Sequence, residues 1–279
     1  MLQPKTSFRK NGRIPSWGIM GVTIALCVLM SLAGSPAWAT DVFTISSSSQ
    51  VYEAFKDHGT ERFEAKTGAK VQTDVMTSEE ALARLVNGFS DMAAIAERLD
   101  AGLKRQGYVE IPVCTDEIAL LTHVQTTVKN ITKDQLQGIF SGDITNWNQL
   151  GGPDKPLVVI VPSENSAAFR NFERMVMEGR PMSWDVMVSK STMAEDIIRR
   201  IPWSLTFVAQ GATRGKPQGA KVLQVNGIGP GDEGYPYVQT YSLVTKGKPE
   251  GYAKVFIDLV FTDSVANHLK SLGMKPIAP

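Results

Sequence analysis

The sequence predicts an α/β protein, because short apolar runs rich in β-branched residues alternate with segments of helical periodicity. Two observations carry this prediction. The run 157–161 is wholly apolar, which is typical of a strand buried on both faces. Over 252–260 the apolar residues recur at i, i+3, i+4, i+7 and i+8, which predicts an amphipathic helix. With 43% hydrophobic and 20% charged residues, the 279-residue chain is neither disordered nor fibrous.

The first 39 residues predict a cleaved export signal. Four basic residues precede an apolar run over 18–34, and Ala37-Trp38-Ala39 then forms an A-x-A cleavage site. The alternative is an uncleaved membrane anchor, but about 17 apolar residues are at the short limit for crossing a bilayer. We therefore expect a signal peptide over 1–39 and a mature, periplasmic protein that begins at Thr40.

The rest of the chain has a composition that excludes several functions. Beyond the signal it holds 25 Lys+Arg against 28 Asp+Glu, a net charge of about −3, which argues against a nucleic-acid-binding protein. Cys114 is then the only cysteine, and its apolar surroundings predict a buried structural thiol. The histidines are isolated and no nucleophile, cofactor or metal motif occurs, so we predict no catalytic residues, cofactor or metal.

Strands and helices follow each other along the mature chain. We predict strands over 42–46, 70–76, 91–95, 109–123, 157–161, 205–208, 221–225 and 238–244. We predict helices over 50–66, 79–87, near Leu103, from Thr132, and over 167–177, 184–188, 193–200 and 252–260. Thr77 with Glu80 and Thr132 with Gln135 are capping boxes, which predict helix starts. This alternation predicts mainly parallel sheets, whose ligands bind beyond the carboxyl ends of strands.

With these elements placed, the chain resembles the periplasmic phosphate-binding proteins of ABC importers over essentially its whole mature length. The segments that carry the resemblance are 67–71, 85–93, 115–119, 131–136, 139–147, 150–154, 225–230, 234–237 and 256–260. The most specific is Ile139-Phe140-Ser141-Gly142-Asp143-Ile144-Thr145-Asn146-Trp147. The resemblance implies a two-lobed fold, with lobe I formed by 40–123 plus 238–279 and lobe II by 124–237. A ligand would bind between the lobes, and closure would be a hinge motion.

The same resemblance implies an oxyanion site at helix N-termini, where hydroxyl and backbone N–H groups donate to the ligand. The residues in register, or one position away, are Ser48, Ser49, Gln50, Ser78, Ser166, Arg98 and Arg170. Gln50 stands where the family often has threonine. Ala96-Glu97 occupies the place of the family's Ser-Arg or Asp, and Arg98 follows. Each serine has the alternative role of a helix cap, and each arginine that of a solvated surface residue.

The third helix start departs from the family pattern, Arg-Glu-x-Gly-Ser-Gly-Thr-Arg. Pro162, Ala168 and Phe169 replace its two arginines and its threonine. We therefore predict an exported, monomeric solute-binding protein that binds phosphate or a related oxyanion and works with an ABC permease. Inorganic phosphate itself should bind weakly. The alternatives are a sensory or scaffold protein that lost solute capture and acts on a membrane partner, and an exported enzyme, which the missing catalytic motifs disfavour.

Overall fold

The structure, a computed structural model, describes residues 41–56, 58–189, 191–213 and 219–278. The strands are β1 Val42–Ser48, β2 Lys70–Met76, β3 Met92–Ile95, β4 Tyr108–His123, β5 Asn130–Ile131, β6 Val158–Pro162, β7 Val186–Val188, β8 Ser204–Ala209, β9 Ala220–Val225, β10 Val238–Lys246 and β11 Lys275–Pro276. The α-helices are α1 Ser49–Phe55, α2 Thr60–Thr67, α3 Ser78–Val86, α4 Ala101–Arg105, α5 Lys133–Ser141, α6 Ala167–Phe172, α7 Ser191–Ile198, α8 Gly251–Val260 and α9 Asp263–Ser271. The predicted signal peptide lies outside the described residues.

The strands form one curled sheet in the order β2-β1-β3-β10-β4-β8-β6-β7. At one end β2 and β3 pair parallel to β1, and at the other β7 and β8 pair parallel to β6. The strands between these groups pair antiparallel, since β10 runs antiparallel to both β3 and β4, and β4 runs antiparallel to β8. The parallel units predicted from the sequence therefore lie at the two ends of the sheet, joined through β4 and β10.

The long strand β4 takes part in both halves of the sheet. Its residues 108–117 pair with β10, and its residues 118–123 pair with β8 and β9. Each half carries its own apolar core. One centres on Phe140, Phe172 and Phe207, and the other on Phe43 and Phe63, in line with the fold that the resemblance implied.

Two predicted helices are wrong in this structure. The single helix over 50–66 is divided into α1 and α2, because Gly59 adopts a positive φ of 105° that a continuing helix does not allow. The predicted helix 184–188 is instead the edge strand β7, paired with β6, because tertiary pairing outweighs a weak local pattern over so short a segment. Helix α9, which we did not predict, follows α8 directly and packs against β11.

Several predictions of detail are confirmed. The capping boxes Thr77–Glu80 and Thr132–Gln135 open α3 and α5. Cys114 is fully buried, and burial raises the pKa of its thiol, so it is an inert structural thiol at neutral pH.

Among the described residues, no helix combines the length and the apolar character that a membrane span needs.

Candidate functional site

The candidate site begins at the edge of the sheet where β1, β2 and β3 end. Ser48 lies opposite Met76, and Ser47 lies opposite Ala94, so the three parallel strands finish side by side. The residues that follow them therefore converge on one edge: Ser49 and Gln50 after β1, Thr77 and Ser78 after β2, and Ala96 and Glu97 after β3. This is where an open parallel sheet places its ligands.

At the first strand end, a run of serines turns the chain into α1. Ser48 is buried and caps the helix, because its Oγ accepts a hydrogen bond from the backbone N–H of Val51 at 3.4 Å. Ser49 is exposed at the first helical position. A capping hydroxyl acts only as the acceptor in its cap, so the Ser48 O–H remains available as a donor.

Gln50 is the unusual residue of this turn. Its side chain is only 8% exposed, and within the described part of the chain neither its Nε2 nor its Oε1 has a hydrogen-bond partner. An amide buried in this way costs free energy, since it gives up its bonds to water without replacing them. Such orphaned groups are rare in folded proteins, and each calls for an explanation such as a ligand, an ion or an ordered water.

At the second strand end, Ser78 is almost completely buried. Its Oγ accepts a hydrogen bond from the backbone N–H of Ala96 at 3.2 Å, so it ties the start of α3 to the end of β3. The cap of α3 is made by Thr77 instead, whose Oγ accepts from Glu80 N. Hydrogen bonds from the Thr77 backbone N–H and hydroxyl lower the pKa of Glu80, so its carboxylate stays charged in the first helical turn.

At the third helix start, Ser166 caps α6 by accepting from Phe169 N at 3.2 Å. The three residues that depart from the family pattern are all buried. Ala168 is 0% and Phe169 5% exposed, and the Phe169 ring packs edge-on against Trp184 with ring centroids 5.8 Å apart. Pro162 ends β6 and is buried as well. This face of α6 therefore belongs to the apolar core.

The two candidate arginines have different surroundings. Arg98 is exposed. Arg170, on α6, is 25% exposed and makes ion pairs with two carboxylates that belong to the other half of the sheet. Its Nη2 and Nε lie 2.7 and 3.0 Å from Glu97 Oε1, and its Nη1 lies 3.1 Å from Glu79 Oε2. The guanidinium thus already binds carboxylate oxygens.

A buried polar network continues from this contact to the strands that join the two halves of the sheet. Asn171 donates through Nδ2 to Ala96 O at 2.7 Å and to Gln239 Oε1 at 3.0 Å. Gln239 in turn donates to Asp116, which also accepts from Tyr241 OH at 2.8 Å and from Gly211 N at 3.0 Å. Burial raises the pKa of the Asp116 carboxyl to about 6, although these hydrogen bonds act to lower it.

Sequence reasoning missed part of this arrangement. Asn171 and Asp116 gave no sequence signal, because their roles arise from contacts between residues 68 or more positions apart. Glu97 lies at a position that the family resemblance had matched. Its hydrogen bonds to Arg170, however, form only because α6 packs beside the end of β3 in the folded protein. In the described part of the chain, no three His, Cys, Asp or Glu residues form a group that could hold a metal ion.

Comparison with known proteins identifies the fold and family. A family model described as a PBP superfamily domain matches residues 34–264. The chain belongs to the PBP superfamily. It is 24% identical over 235 residues to the phosphate-binding protein PstS of Bacillus subtilis, covering 81% of this chain and 77% of that protein. The resemblance to phosphate-binding proteins stated from the sequence is thereby confirmed.

Solved structures of phosphate receptors have the same fold as this chain. An ABC-type phosphate transport receptor from Vibrio cholerae superposes with a TM-score of 0.72 at 20% identity, covering 84% of this chain and 99% of the receptor. A protein from Clostridium perfringens, described as a phosphate ABC transporter substrate-binding protein with bound phosphate, gives 0.73 at 20% identity, with 85% and 100% covered. The two-lobed α/β fold predicted from the sequence is that of these receptors.

Proposed function

We propose that the mature chain, from Thr40, is an exported, monomeric solute-binding protein that delivers an oxyanion to an ABC permease. The anion binds between the two lobes, at the carboxyl ends of the strands. The residues we assign to it are Ser48, Ser49, Gln50, Ser78, Ser166, Arg98 and Arg170. Hydroxyl, amide and guanidinium donors with adjacent helix-start N–H groups suit an oxyanion.

The lobe boundaries are part of this proposal. Lobe I comprises 40–123 plus 238–279, and lobe II comprises 124–237. The exchange of partners within β4 supports the division, since pairing to β10 ends at Glu117 and pairing to β8 begins at Ile118. Hinge motion would then bend β4 and the chain that enters β10, where Ile118 N donates to Tyr237 O at 2.8 Å.

The observation that carries the proposal is the unpartnered amide of Gln50. It lies at the sheet edge where ligands bind in this fold, directly after the exposed Ser49. A buried donor that the fold itself does not use is explained if a bound solute accepts its hydrogen bond. The same amide then weakens the protein without solute, as is common for binding residues.

Replacing Gln50 by methionine tests this role directly. Methionine keeps the length of the side chain and removes both unpaired polar atoms, so we expect the free energy of unfolding to rise by about 1 kcal/mol. We expect the same variant to lose any rise in melting temperature caused by millimolar phosphate, sulfate, molybdate or organic phosphates. Urea denaturation and thermal shift measure the two effects.

Gln106→Met is the matched control, because Gln106 is exposed between α4 and the start of β4, on the side of the sheet opposite the carboxyl ends of β1 and β3. It should change neither stability nor anion response. An undiminished anion response in Gln50→Met would remove Gln50 from the site. If none of these anions stabilises the unmodified protein, they are not its solutes.

The second candidate function is a sensory or scaffold protein that passes a signal to a membrane partner. Arg170 favours it, because its guanidinium is already neutralised by Glu97 and Glu79. So do the buried positions of Pro162, Ala168 and Phe169, which supply no donors to a ligand. A neighbouring gene for a sensor kinase would favour this function, and genes for a permease and an ATPase would favour transport.

If the chain is exported, the mature protein should have one defined N-terminal residue. The A-x-A site ends at Ala39, so signal peptidase should release a product that begins at Thr40. Intact-mass measurement of protein recovered from the periplasm checks this. A periplasmic product that retains residues 1–39 would show that the segment is an anchor.

A further inference from the structure

Arg170 and Asn171 join the two lobes by contacts that involve no solute. The Arg170 guanidinium donates from three different nitrogens, two to Glu97 and one to Glu79. The next residue, Asn171, is 2% exposed and donates to Ala96 O at 2.7 Å. Two successive residues of α6 therefore bind the chain just beyond β3, and the protein's own groups hold α6 there.

Glu97 makes the stronger of the two ion pairs. Its carboxylate is 25% exposed and receives two hydrogen bonds, with its Oε1 2.7 and 3.0 Å from Arg170 nitrogens. Glu79 is 81% exposed, so solvent screens its single contact at 3.1 Å. Both bonds end on the same oxygen of Glu97, so this carboxylate takes up charge-assisted donors that the guanidinium would otherwise offer to an oxyanion.

We propose that Glu97 is an internal counter-ion that closes the cleft without a solute and sets the charge class of the solute that can bind. This inference rests on the proposed function and deepens it. A bound dianion must displace the Glu97 carboxylate from Arg170, and it then lies beside two uncompensated carboxylates, Glu97 and Glu79. The cleft therefore selects singly charged or uncharged solutes with hydrogen-bond acceptors, and it disfavours phosphate and sulfate dianions.

Glu97→Gln tests the proposal, since it keeps the shape of the side chain and removes its charge. Glu164→Gln is the matched control, because Glu164 is exposed in the loop before α6 and has no ion pair with Arg170 among the described residues. Phosphate affinity is measured by isothermal titration of the mature protein. Lobe separation is measured by the distance between spin labels at Ala65→Cys and Lys155→Cys, two exposed positions.

We expect the unmodified protein to show the same label distance with and without phosphate and a dissociation constant for phosphate no tighter than about 10 μM. In Glu97→Gln the distance without anion should lengthen, and phosphate should bind at least about tenfold more tightly. Glu79→Gln should have a smaller effect than Glu97→Gln. The Glu164→Gln control should match the unmodified protein within about twofold.

Two results would overturn the inference: submicromolar phosphate binding by the unmodified protein, or unchanged distance and affinity in Glu97→Gln. The second would leave the proposed function intact if phosphate still binds to both proteins. Opening of Glu97→Gln that no phosphate, sulfate or molybdate reverses would support Glu97 as the group that closes the cleft, but it would overturn its role in setting the charge of the solute. That outcome would also exclude these three anions as the solutes of the proposed function.

Discussion

Phe169→Arg is expected to destabilise the protein by about 4 kcal/mol, although the family resemblance places an arginine at this position. The Phe169 ring is 5% exposed and packs against Trp184 within the core that holds Phe140, Phe172 and Phe207. An arginine there loses the ring's packing and buries a charge without a partner. Urea denaturation of the mature protein measures the loss.

Phe169→Leu is the control for this prediction. It keeps the site apolar and should cost about 1.5 kcal/mol or less. If Phe169→Arg instead keeps its urea midpoint and gains phosphate affinity, this face of α6 is exposed to the cleft and the packing described above is wrong. The result therefore decides whether the altered third helix start has lost a binding role or has become part of the core.

Asp116 should give the protein a pH-dependent stability that Asp116→Asn lacks. Its pKa is about 6 in the folded protein, against 3.8 for an ordinary aspartate, because burial disfavours its charged form. The folded state thus holds the proton more tightly than the unfolded state. The protonated carboxyl therefore contributes about 3 kcal/mol to the free energy of unfolding. This contribution is fully present below about pH 4 and is lost as the pH rises through about 6.

The free energies of unfolding of the unmodified protein and of Asp116→Asn, measured at pH 4, 5, 6 and 7, test this pH dependence. Other groups titrate alike in the two proteins, so the difference between their curves isolates Asp116. We expect the unmodified protein to gain about 1.4 kcal/mol relative to Asp116→Asn between pH 7 and pH 5. Parallel curves would show that the carboxyl keeps an ordinary pKa. The test bears on the candidate site, since Asp116 connects through Gln239 to Asn171, which donates to Ala96 O just beyond β3.

The sequence by itself determined the fold class, most of the elements and the family. Local signals are enough for these: periodicity places α8, capping boxes place the starts of α3 and α5, and β-branched runs place β6. It also placed Ser48 and Ser166 at helix starts, where both act as caps. Such features depend on neighbours within a few positions along the chain.

Only the tertiary structure decided what the side chains of the site contact. Glu97 and Arg170 are 73 positions apart, and no local pattern shows that their charges meet. The burial of Phe169 depends on which face of α6 packs on the core, and the orphaned amide of Gln50 depends on what surrounds α1. Free energies of ion pairs and buried polar groups depend on burial and exact partners, which are created only when distant segments pack together.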